Sequence, residues 1–433
     1  MTMRVRGFLM LVAGLAAMGL ASCGHYTCGA GFGSSSCTSS GPPSLSSSGG
    51  GGSATAAFVF VADATGTSTT GTIDGYTLNT TASTFGATPS YTAPATPLND
   101  GGVGLVVAQK KYLYTGYGST NTIYGWSIGT DGNLTAVSAS PYAAPFMSLV
   151  PAGFGTQSIM VNPAGTLLFF STFTGNIYVY QIGSGGALTA AIGSPFSAPF
   201  GGNLATDGLG NYLYITDASG HAGTEIAAYV IGSSCATAGG ACTLTVVPGS
   251  PFASASDNMW QVQGDSTGKY LIGTTGQSAA VNGIDNDFLY VFSITTSGAN
   301  AGAITPLGSV STGTNSPVSI AVQSNSNGNL VYSFGIEDSA LGFNPVDGFS
   351  LNSAGALTAL STSPFSNAAV GDLGEFDQSG SFLFVYGGIF NSGTQAVTFQ
   401  MGAFDVGSGG ALTEPTSTLT LTNGGFFVVT DPQ

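Results

Sequence analysis

The chain has 433 residues, and only 25 are charged: five Lys or Arg against 20 Asp or Glu, a formal charge of −15. Five basic residues cannot build a phosphate-tracking surface, so nucleic acid is excluded as a partner. A hydrophobic content of 43% excludes charge-driven disorder and leaves polar work to Ser, Thr, Asn, Gln and the backbone.

In chain order the first element is a processing segment. Arg4 and Arg6 precede an apolar stretch from Gly7 to about Leu20, shorter than the roughly 20 residues of a membrane span and shaped like a signal h-region. It ends in Leu20-Ala21-Ser22-Cys23, which resembles the bacterial lipoprotein signal, whose Cys becomes the lipidated first residue. The expected organisation is a signal peptide over 1–22, an anchor Cys and Ser/Gly-rich tether over 23–55, and a folded domain over 56–433. Such a protein sits in the cell envelope of a bacterium, held to a membrane by lipid outside the cytoplasm. Cleavage removes both arginines and leaves three lysines against 20 acids, a formal charge of −17. The other cysteines form two close pairs, Cys28 with Cys37 and Cys235 with Cys242, and in an oxidising compartment each pair predicts a local disulfide. Neither pair has the partners of a zinc site, so no metal is expected there.

From Ala56 onward the chain repeats. One copy reads Ser158-Ile159-Met160-Val161-Asn162-Pro163, then Gly165 with Leu167 to Phe170, then Asn176-Ile177-Tyr178-Val179-Tyr180, then Gly186-Ala187-Leu188-Thr189 and Ser194-Pro195-Phe196. The aromatic run recurs seven times, from Phe58-Val59-Phe60 to Phe382-Leu383-Phe384. The Leu-Thr element recurs from Leu134 to Leu412 at spacings of 54, 56, 60, 53 and 55 residues. Each run is short, aromatic or β-branched and bounded by Gly, Asn, Asp or Pro, which predicts four strands per copy. Four strands in about 50 residues make a propeller blade. The expected fold is all-β, a seven-bladed β-propeller. The first copy lacks its initial strand, and the segment from Gly424 to Pro432 resembles one, so the C-terminal strand is expected to complete the N-terminal blade.

Tyr-Leu-Tyr, Asn-x-Ile-Tyr-x-Tyr, Gly-x-Leu-Thr and Ser-Pro-Phe in this order resemble the seven-bladed lactonase family. That family includes 6-phosphogluconolactonase and carboxymuconate cyclase and is related to YVTN-type surface propellers. The resemblance spans the domain and implies a site at the starts of the central strands, where active members carry Arg and His. Here the matching stretches, among them Thr156-Gln157-Ser158, Met259-Trp260-Gln261 and Gly371-Asp372-Leu373-Gly374-Glu375, contain neither. A phosphorylated sugar lactone needs cationic partners for its phosphate.

Asp372 and Glu375 are candidate catalytic acids, set to bind a cation or activate water, or else to remain solvated. His221, with Glu225 nearby, is a candidate general base or an ordinary loop histidine. Trp260 and Gln261 suit stacking and hydrogen bonding to a sugar ring, or packing between blades; Gln157 and Asp100 are further rim candidates. Asp285-Asn286-Asp287 resembles part of a calcium loop but lacks its Gly and terminal Glu, so no cofactor is expected and calcium is the one cation considered. The leading expectation is a lipid-anchored binding or interaction module for a neutral saccharide, a lactone or a protein partner. A hydrolase of an unphosphorylated lactone and a structural surface protein are the alternatives.

Overall fold

The computed structural model describes residues 55–62, 72–79, 84–87, 91–92, 104–117, 120–149, 158–217, 225–254, 259–275, 288–312, 317–323, 329–335, 346–365, 371–391, 396–415, 417–421 and 427–431. Seven antiparallel sheets form seven blades, each with a path of four strands that runs in chain order except in blade 1, and five of the sheets add a short fifth strand. The innermost strands of blades 2 to 7 are Leu105–Ala108, Ile159–Val161, Leu204–Thr206, Gln261–Gly264, Pro317–Val322 and Leu373–Phe376. Neighbouring innermost strands touch around the full circle, which makes the array a closed ring.

Blade 1 joins the two ends of the domain. Its innermost strand is the C-terminal Phe427–Thr430, paired with Thr55–Ala62 through Phe58↔Thr430, Val59↔Val429, Phe60↔Val428 and Val61↔Phe427. The expected closure is therefore present, in a strand shorter than the segment that predicted it. One ion pair reinforces the seam: Lys110 Nζ of blade 2 lies 3.0 Å from Asp431 Oδ2. Asp431 Oδ1 accepts the backbone N–H of Gln378 in blade 7 at 3.1 Å, so one carboxylate ties three blades.

The second strand of each blade carries the aromatic run because both its faces are covered by adjacent blades. Tyr114, Phe169, Tyr214, Tyr332 and Phe384 are fully buried there. Three of these tyrosines do more than fill space. The hydroxyl of Tyr114 donates to the carbonyl of Gly186 at 2.6 Å, Tyr214 to Gly302 at 3.1 Å and Tyr332 to Gly410 at 2.6 Å. Each bond runs from one blade to the Gly-x-Leu-Thr or Gly-x-Ile-Thr hairpin of the next. Burial pushes all three phenols well above the ordinary tyrosine range, so they remain donors at any physiological pH. Glycine at the acceptor is required twice over. Gly186 has φ +77°, and a Cβ there would lie 2.4 Å from the Tyr112 ring.

Ser-Pro-Phe and its Tyr variant have a defined task. All four Ser-Pro bonds are cis. The hydroxyls of Ser140, Ser194, Ser250 and Ser363 accept backbone N–H groups of the third strand, from Gly125, Val179, Ala228 and Gly348, at 2.8–3.0 Å. The following aromatic then bridges back to the start of that strand, as in Ile177↔Phe196. The motif folds the chain inward after the outermost strand.

The Cys235–Cys242 disulfide is formed. It closes a loop that leans on blade 3, where Gln181 Nε2 donates to the carbonyls of Cys235 and Thr237 at 2.8 and 2.7 Å. Cys23, Cys28 and Cys37 lie outside the described residues.

Tyr114→Phe leaves the buried Gly186 carbonyl without its donor and is expected to cost roughly 1–3 kcal/mol in urea unfolding. Gly186→Ala is expected to cost more, because strain and overlap add. A chain ending at Asn423 should melt well below the full chain; equal melting would contradict closure by the last strand.

Candidate functional site

The innermost strands line the axis of the ring, and three levels can be followed along them. At the finishing end, a carboxylate or amide closes the turn into the second strand. Asn162, Asp207, Asp265 and Asp377 each stand five residues before the first residue of an aromatic run, and each accepts that residue's backbone N–H at 2.8 Å. All four are buried. Burial raises the carboxyls of Asp207 and Asp377, and the turn N–H groups pull them part of the way back. These are structural acids. Their recurrence at fixed spacing is present in the sequence, but they were not singled out there.

At the middle level, two glutamines of blade 5 reach across to blade 6. Gln261 Oε1 accepts Ile320 N–H at 3.0 Å, and Gln263 Oε1 accepts Val322 N–H at 3.1 Å. In a strand, residues two apart share a face, so both amides cross the same gap. Glu375 occupies the corresponding place in blade 7, two residues before the turn acid, as Gln263 does in blade 5. Its Oε2 accepts Val429 N–H of blade 1 at 3.3 Å. Glu375 is enclosed by protein yet keeps some accessible surface. Burial pushes its carboxyl up to about 8, with the Val429 N–H opposing.

At the starting end, Asp372 Oδ2 accepts Gly388 N–H at 3.0 Å, within its own blade. Asp372 stands just before the strand Leu373–Phe376, which contains Glu375. Gly374 and Phe376 face blade 6: a Cβ on Gly374 would lie 1.9 Å from Phe334, and Phe376 packs 5.6 Å from Tyr332. Leu373 packs among the side chains shared with blade 1. The two acids bond to different elements, Asp372 to Gly388 of its own blade and Glu375 to Val429 of blade 1. The carbonyl of Trp260 accepts Asn203 Nδ2 at 2.7 Å and Thr216 Oγ1 at 2.8 Å, which ties blade 4 to blade 5, while its indole is half-buried.

The described channel opens into a cavity of about 520 Å³ lined by Ile159–Val161, Leu204–Thr206 and Gln261–Gly264, with Val322 on the far side and Pro163, Gly208 and Ser266 at the finishing end. Gln261 is thus brought to a cavity, and Gln263, missed in the sequence, stands beside it. Trp260, Asp372 and Glu375 are not among the lining residues. His221, Gln157, Asp100 and the Asp285–Asp287 turn lie outside the described residues. Among the described residues no group of three His, Cys, Asp or Glu is placed to hold a metal ion.

No protein-family model and no curated protein matches this chain. Solved structures do. A putative 6-phosphogluconolactonase from Bacteroides fragilis superposes with a TM-score of 0.62 at 14% identity, covering 87% of this chain and 98% of its own. One from Bacteroides uniformis gives 0.60 at 14% identity, covering 87% and 99%. A protein from Lactobacillus plantarum gives 0.59 at 17% identity, again covering 87% and 99%. The chain shares their seven-bladed fold.

The raised carboxyl of Glu375 predicts a pH dependence. A carboxyl whose folded value lies near 8 instead of the ordinary 4.5 favours the folded state fully below 4.5 and loses that contribution as pH rises to about 8. Glu375→Gln keeps an acceptor for Val429 and removes the titration. It is expected to match wild type near pH 4.5 and exceed its unfolding free energy by roughly 4 kcal/mol at pH 8. Parallel pH–stability curves would show that Glu375 is not desolvated.

Proposed function

We propose that this protein is a lipid-anchored, extracytoplasmic β-propeller that binds a neutral small molecule or a partner and does not turn over a phosphorylated sugar lactone. The reading rests on one observation: the polar side chains of the described innermost strands are the hydroxyls of Thr206, Ser319 and Thr430, the amides of Gln261 and Gln263 and the carboxyl of Glu375, with no cation among them. The described residues contain no Arg and no His, and their three lysines sit in turns, one of them paired with Asp431. A phosphate would meet no guanidinium in this part of the channel and an acidic protein around it. Fold alone does not assign activity, because propellers carry many functions on one scaffold.

The lactone hydrolase is the second reading, and Glu375 favours it. A carboxyl raised to about 8 is mostly protonated at neutral pH and able to donate a proton. Its bond to Val429, matching that of Gln263, is what a structural role requires, so the binding reading stands first.

The anchor supports the compartment: Cys23→Ser should move the protein from the membrane fraction to the soluble fraction, and unchanged partition would remove the lipid from the proposal. The full chain in detergent is expected to hydrolyse glucono-δ-lactone, 6-phosphogluconolactone and an acyl-homoserine lactone no faster than buffer. Turnover that is lost in Glu375→Gln or His221→Ala would replace binding with catalysis.

A further inference from the structure

The cavity between blades 3, 4 and 5 has a chemistry of its own. Its partly exposed aliphatic side chains are Met160 and Val161, and its volume of about 520 Å³ falls within the roughly 300–1,000 Å³ of small-molecule sites. Its side-chain donors are the hydroxyls of Thr206 and Ser266 and the amides of the two glutamines. Each glutamine has given its Oε1 to a backbone N–H of blade 6. An amide oxygen held in this way turns the attached NH₂ away from the same bond, and it fixes which end of the amide is the donor. Neither Nε2 has a partner among the described residues. Two oriented donors one strand step apart, about 7 Å along the chain, are therefore offered to whatever fills the cavity. The nearby acid, Asp207, spends its oxygens on its own turn, Oδ1 on the N–H groups of Asn211 and Tyr212 and Oδ2 on the amide of Asn211. No basic residue is among the described lining.

We infer that this cavity is a binding site for a neutral, ring-shaped polyhydroxy compound, a pyranoside, whose oxygens accept from Gln261 and Gln263 while its apolar face lies against the aliphatic wall. This rests on the binding reading above and gives that reading a ligand class and a place. Of the described strand-start candidates only Gln261 lines it. The cavity lies along the middle and finishing end of the innermost strands, where the turn residues Pro163, Gly208 and Ser266 border it. Donors without formal charge inside a protein of charge −15 select against the acid and phosphate forms of the same sugar.

Glu375 supplies the design of the test. At the corresponding position of blade 7 a carboxyl makes the same contact with the next blade. Gln263→Glu therefore keeps the acceptor for Val322, removes the donor and adds repulsion toward ligand oxygens. Gln263→Met removes the amide without charge, and Thr358→Glu, exposed on the outer strand of blade 6, controls for net charge. The full chain in detergent is titrated calorimetrically with methyl β-glucopyranoside, cellobiose, gluconate and glucose 6-phosphate, with thermal melting of each variant alongside.

The expected result is binding of at least one neutral probe and weaker or no binding of both anions. Gln263→Glu and Gln263→Met should each raise the dissociation constant about tenfold or more, with melting retained in at least one of them. Thr358→Glu should bind as wild type. Binding of neutral sugar that both Gln263 variants leave intact overturns this site and leaves the binding-module reading in place. Absence of binding by either neutral probe, or tighter binding of an anion, overturns the ligand class. Lactone turnover, measured separately, overturns the reading beneath it.

Discussion

A tyrosine hydroxyl reaching from one blade into the hairpin carbonyl of the next is the contact on which this ring depends. Blades otherwise meet through apolar faces, and apolar burial is strong but non-directional. The bonds from Tyr114, Tyr214 and Tyr332 set the rotation of blade 2 against 3, blade 4 against 5 and blade 6 against 7. They also explain three features of the repeat at once: the aromatic that can donate, the glycine that makes room for the side chain two residues before that aromatic (Tyr112, Tyr212 or Leu330), and the spacing between them. A phenol buried this deeply without an acceptor would cost more than its ring gains in the last increments of packing.

Nearer the axis the same problem is solved with amides. The free edge of each innermost strand has N–H groups that no strand will cover. Gln261 and Gln263 cover two of them for blade 6, and Glu375 covers one for blade 1. Seen together, these residues are variants of one device. Where the side chain is a carboxyl, burial makes it reluctant to ionise. Where it is an amide, a donor is left over beside the cavity. Structural duty takes one end of the functional group and leaves the other unspent.

The low charge of the chain follows from this architecture. Polar needs inside the ring are met by hydroxyls, amides and backbone. Asp207, Asp265 and Asp377, three of the few acids, are consumed as turn caps. The one ion pair among the described residues lies at the seam, where Asp431 also holds a backbone N–H and so acts as a junction as well as a charge. An exposed pair of this kind adds little energy by itself; its position matters more than its strength.

Blade number, strand order and closure by the last strand were legible in the sequence, because a repeat of β-period runs has few ways to bury every face. The local Cys235–Cys242 bridge was legible for a similar reason, since only seven positions separate the two. The candidate site was legible only in part. Gln261 and Glu375 stand out by position, but Gln263 and the turn acids look like ordinary strand-end polar residues. Asp372 and Glu375 look like a pair in the sequence, but one bonds within its own blade and the other to blade 1. Sequence alone determined the ring, because periodicity and burial are local and additive. Only the tertiary structure decided which end of each amide is spent and which is free, because that choice is made by a backbone N–H of the neighbouring blade, almost sixty residues away in the chain.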